Sequence, residues 1–113
     1  MAKILIVGLK PGLTEKSKSV TWNRVAEWIE HPYDWTNIYD LDDKVIFNPF
    51  EAYKYKYIIA LGNVSSGYMT KLGIKHLKIP HPSRLNRQWN DPKTEITTKK
   101  RLKKYLQTHE NVL

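Results

Sequence analysis

Lys3-Ile4-Leu5-Ile6-Val7 is an almost unbroken apolar run that stops at Gly8. A strand with one wet face alternates polar and apolar residues, whereas a continuous apolar run has to be covered on both faces. Such strands belong to parallel sheets held between layers of helix. Tyr57-Ile58-Ile59-Ala60-Leu61 repeats the pattern and stops at Gly62, and Ile74 to Ile79 gives a third short run before Pro80. Trp35 to Tyr39 reads as a further strand, and Val45-Ile46-Phe47 as a shorter extended piece closed by Asn48-Pro49.

Helical spacing fills the intervals. Trp22, Val25, Ala26 and Ile29 recur on one face of a helix running to about Glu30, with Ser17 to Ser19 as possible N-caps. Ser65 or Ser66 can cap a second helix carrying Tyr68, Met69 and Leu72 and ended by Gly73. A last helix is expected from Thr94 or Thr97, with Ile96, Leu102, Tyr105 and Leu106 inward. Its other face bears Lys99, Lys100, Arg101, Lys103 and Lys104, by default a solvated face. The expected architecture is α/β, a three-layer sandwich around a central, mostly parallel sheet of about four strands. With 113 residues, the span 1–113 is read as a single domain.

Composition narrows the function. The absence of cysteine excludes disulfides, thiolate catalysis and iron–sulfur clusters. No window approaches the roughly 18 apolar residues of a membrane helix, so a soluble, unexported, cytoplasmic protein without membrane partners is expected. The net charge of +8 suits a polyanion such as nucleic acid, because neutralising phosphates releases counterions. His31, His76 and His109 stand alone, and no His, Asp and Glu cluster has metal-ligand spacing. The knot Asp40, Asp42 and Asp43 lacks the glycine and terminal glutamate of a calcium loop and reads as a plain loop. Neither metal nor cofactor is expected.

Chemistry concentrates after the third run, in His81-Pro82-Ser83-Arg84-Leu85-Asn86-Arg87. The imidazole can polarise an oxygen or carry a proton, and Ser83 with the two arginines suits phosphate oxygens. Leu85 among such neighbours has the profile of a wedge between bases, or of a plug folding back onto the core. Gly8-Leu9-Lys10-Pro11-Gly12 is a rigid turn after the first strand, where open α/β sheets bind ligands. It lacks the Gly-Lys-Ser/Thr ending of a phosphate-binding P-loop. Turns after Gly8, Gly62 and Pro80 should share one edge of the sheet and bring Lys10, Asn63 and His81 to one cleft.

In this order, Gly8-Leu9-Lys10-Pro11-Gly12 and His81-Pro82-Ser83 resemble the first-strand turn and the late His-Pro-Ser loop of the uracil-DNA glycosylase superfamily. Glu15, Trp22, Thr36-Asn37 and Leu61-Gly62-Asn63 fall at similar places. The resemblance implies hydrolysis of the N-glycosidic bond of uracil or a related altered pyrimidine in single- or double-stranded DNA, by base flipping. It implies that His81 donates a hydrogen bond to the departing base anion, with Lys10 as the second catalytic position. Asn37 would read the pyrimidine edge and Trp22 would stack on the ring, although core packing accounts equally for Trp22. Gly8, Pro11 and Gly12 would border the base, while Ser83, Arg84, Leu85, Arg87 and Asn63 would hold the nucleic acid. Lys10 stands where the most active members carry a water-orienting aspartate, and the chain is far shorter than typical members. Its size and basicity suit a viral or mobile-element genome, which would put it in a host's cytoplasm. A non-catalytic, nucleic-acid-binding member of the same fold is the alternative.

Overall fold

The two unbroken apolar runs become the two inner strands of one sheet. The computed structural model describes residues 3–10, 25, 27–29, 31–81 and 91–108. In chain order the elements are β1 (Ile4–Gly8), β2 (Tyr33–Asn37), α1 (Pro49–Ala52), β3 (Tyr57–Leu61), α2 (Gly62–Lys71), β4 (Leu77–Ile79) and α3 (Pro92–Thr108). The strand order is β2-β1-β3-β4, and every neighbouring pair is parallel. The sheet is therefore wholly parallel, where the sequence suggested mostly so.

Strand alternation divides the core into two layers. Ile4, Ile6, Tyr57, Ile59, Leu61 and Ile79 face Val25, Ile29, Leu102 and Leu106, which puts α3 and the helical residues Val25, Glu27 and Trp28 on one side. Leu5, Val7, Ile58 and Ala60 face Met69, Ile74, Ile38, Phe47 and Ala52, which puts α2 on the other. Fully burying each such side chain stabilises the fold by roughly 1.5–3 kcal/mol before chain entropy is subtracted. Tyr105 ties α3 to the sheet: its hydroxyl accepts from the Ile58 amide at 3.1 Å and donates to the Ile58 carbonyl at 3.3 Å.

Several boundaries differ from the sequence reading. The second strand is Tyr33–Asn37 rather than 35–39, and 45–47 contributes only an isolated antiparallel bridge between Tyr39 and Val45. The residues at 74–76 precede β4 rather than belong to it. Asn48-Pro49 opens a short helix instead of only closing a strand, with the Asn48 side chain accepting from the Phe50 amide at 3.0 Å. The second helix begins at Gly62 directly off β3, with Leu61 at the cap position and no capping side chain, so neither Ser65 nor Ser66 caps it. Leu72 lies past its end and is exposed. The last helix starts at Pro92 behind Asp91, whose carboxylate accepts from the Lys93 amide. On it Ile96 is exposed and Thr98 is buried, the reverse of expectation for Ile96.

One contact fixes the entry to β3. The Tyr55 hydroxyl donates to Asp34 Oδ2 at 2.6 Å. The hydrogen bond to the carboxylate, with burial and the nearby negative charges, pushes the phenol up to about 12. Because the folded value is the higher one, this contribution is intact below pH 10 and is lost as pH rises from 10 to about 12. Residue-resolved tyrosine NMR should place Tyr55 near the upper value, and Asp34→Asn should return it towards 10.

Candidate functional site

The chain leaves β1 for β2 on one side of the sheet and goes from β3 to β4 on the other. The strand order thus reverses between β1 and β3. The helical residues after β1 cover one face and α2, after β3, covers the opposite face. A crevice at the carboxyl ends of two strands diverging in this way is the usual ligand position in open α/β sheets.

Two glycines mark that crevice. Gly8 ends β1 opposite Asn37 of β2. A methyl group on Gly8 would lie 2.5 Å from Asn37 Oδ1 and 3.3 Å from Trp35 Nε1, so the Asn37 amide lies over the end of β1. The Trp35 indole N–H donates to that oxygen at 3.4 Å. An indole has only a donor, which fixes the amide with its oxygen towards Trp35, and the oxygen keeps a second lone pair. Extending the β1–β3 register places Gly8 beside Leu61, and Gly62 follows at once. Gly62 has φ +86°, and a methyl group there would lie 3.2 Å from the His81 β-carbon. Asn37 and His81 therefore reach in from the two outer strands over two inner strands that are roughly 4.8 Å apart.

His81 is half-buried, and desolvation pushes its imidazole below the ordinary value of 6.5. At neutral pH the ring is uncharged and still has an N–H to donate. The unfolded chain binds this proton more readily, so stability falls as pH drops from 6.5 towards the lowered native value. An NMR titration of the His81 ring should give a midpoint below 6.5.

On the β4 side of His81 opens a cleft of about 400 Å³, lined by Gly62, Asn63, Lys78, Ile79, Pro80, His81 and Arg101. It brings Asn63 and His81 together as expected, but it does not include Lys10. The Lys10 ammonium instead pairs with Asp43 Oδ1 at 2.8 Å, on the loop that Asp40 shapes by accepting from the Asp42 and Lys44 amides. Among the described residues, no carboxylate lines the cleft.

No family model, curated protein or solved structure matches this chain. The site therefore has to be argued from its own geometry.

Pro11, Gly12, Glu15, Trp22, Ser83, Arg84, Leu85 and Arg87 lie outside the described residues. Sequence reasoning missed Lys78 and Arg101. Lys78 is the polar residue between two apolar ones in β4, and Arg101 borders the buried row Thr98, Leu102 and Leu106. That flanking position was the one available signal, and the surrounding lysines hid it.

Proposed function

We propose that the chain is a minimal DNA glycosylase that hydrolyses the N-glycosidic bond of uracil or a related altered pyrimidine. What supports this reading is that the Asn37 amide lies against Gly8 and the His81 ring against Gly62, at the carboxyl ends of the two neighbouring inner strands. A primary amide with one donor and one acceptor complements the O4 and N3–H edge of uracil and mismatches cytosine. An uncharged imidazole can donate to O2 as negative charge gathers there. In the step itself, the C1′–N1 bond breaks and its electron pair leaves with the base, while water oxygen forms the new bond to C1′. The proton released by that water passes to solvent, and the base anion is reprotonated from solvent. Preorganised donors at the developing charge are worth roughly 3–4 kcal/mol of barrier.

The pairing of Lys10 with Asp43 favours a second reading, a nucleic-acid-binding module of the same fold without catalysis. In that case no described side chain at the first turn orients a water. The two readings separate in one assay. Uracil-containing oligonucleotides, single- and double-stranded, are incubated with the protein and then treated with alkali. Cleavage at the uracil position is the expected result. Salt-sensitive binding with no alkali-labile product would replace the enzyme with the module.

A further inference from the structure

The polar groups lining the cleft beside His81 have an unusual balance. Lys78 donates to Asn63 Oδ1 at 3.1 Å, which turns the amide oxygen towards Lys78 and leaves the Asn63 NH₂ as a donor. Arg101 enters from α3, and among the described residues no carboxylate pairs with it or with Lys78. Two cations and an amide donor thus share a cavity with no described acid to neutralise them. Ile79 and Pro80 supply an apolar wall. A bare, strongly hydrated ion gains little from such a wall, whereas a phosphate ester carries charge on one side and carbon on the other.

We propose that this cleft seats a backbone phosphate of a nucleic-acid strand, gripped by Lys78 and Arg101. The proposal rests on the nucleic-acid reading above, but not on catalysis. The strand is preferred to a mononucleotide because the chain's net charge of +8 is more than a single phosphate balances. Lys100 and Lys103 on exposed positions of α3 also lack a carboxylate partner among the described residues.

The test is the salt dependence of oligothymidylate binding, measured by fluorescence anisotropy on the full chain. Lys78→Ala/Arg101→Ala removes both grips on that one phosphate and should lower the slope of log K against log salt by about 0.7. Both residues are exposed, so the variant should melt as wild type does. Lys56→Ala, at the amino end of β3 and so away from the cleft at the carboxyl ends, should leave the slope unchanged. An unchanged slope in the double variant, or an equal fall in the Lys56 control, overturns the site while leaving uracil excision to be judged by its own assay. Displacement of the oligonucleotide by uridine monophosphate at equal phosphate concentration would overturn the strand in favour of a free nucleotide.

Discussion

Uracil excision by His81→Ala is expected to fall about 10²–10³-fold below wild type, the usual loss when one donor to a developing oxyanion is removed. Oligonucleotide affinity should hardly change if, as proposed, the donor acts on charge that appears only as the bond breaks. The measurement is single-turnover release of alkali-labile sites, with anisotropy on the same substrate as its companion. His81 stands against Gly62 rather than inside either core layer, so its truncation should spare the fold. An undiminished single-turnover rate would remove His81 from the chemistry. A variant that binds poorly but reacts normally once saturated would make it a binding residue.

Gly8→Ala is expected to destabilise the fold by about 1–3 kcal/mol, as overpacking a tight site commonly does. The added methyl would have to share space with Asn37 Oδ1, 2.5 Å away, and the amide has few places to go while Trp35 holds it. Excision should suffer with stability, since the displaced group is the one proposed to read the base. A denaturation cycle with Asn37→Ala isolates the cause. Removing the amide first should relieve much of the cost, with a coupling on the order of 0.5–3 kcal/mol. Strictly additive costs would locate the strain elsewhere in β1.

The inner strands were legible in the sequence because burial on two faces leaves no polar position, and Ile4–Val7 and Tyr57–Leu61 have none. The outer strand Tyr33–Asn37 is half-exposed along its length, so its pattern is weaker and points to a start two residues late. Ser65 resembled a helix cap because strand-to-helix connections usually need one. Here the helix begins on the residue after the strand, and Gly62 makes the bend with its positive φ. Asn48-Pro49 did carry a cap-and-proline signature, but the helix it opens has only four residues, too few for periodicity to appear. At the site, the glycine-ended strands announced one shared edge. The Lys78 and Arg101 pairing was not legible, since it depends on which strand is outermost and how α3 lies across it.

Residues 8 and 37 end β1 and β2, residues 62 and 81 follow β3 and β4, and no two of those strands are joined by a tight hairpin. Partly folded chains lacking either outer strand would therefore hold only three of the four, without one of the two side chains that meet the glycines. Ligand occupancy is then linked to complete folding, and a bound oligonucleotide should stabilise the fold by RT ln(1 + [L]/Kd) and so raise the melting temperature as its concentration rises. Thermal shift thus becomes a direct screen for what this crevice accepts, without any assumption about turnover.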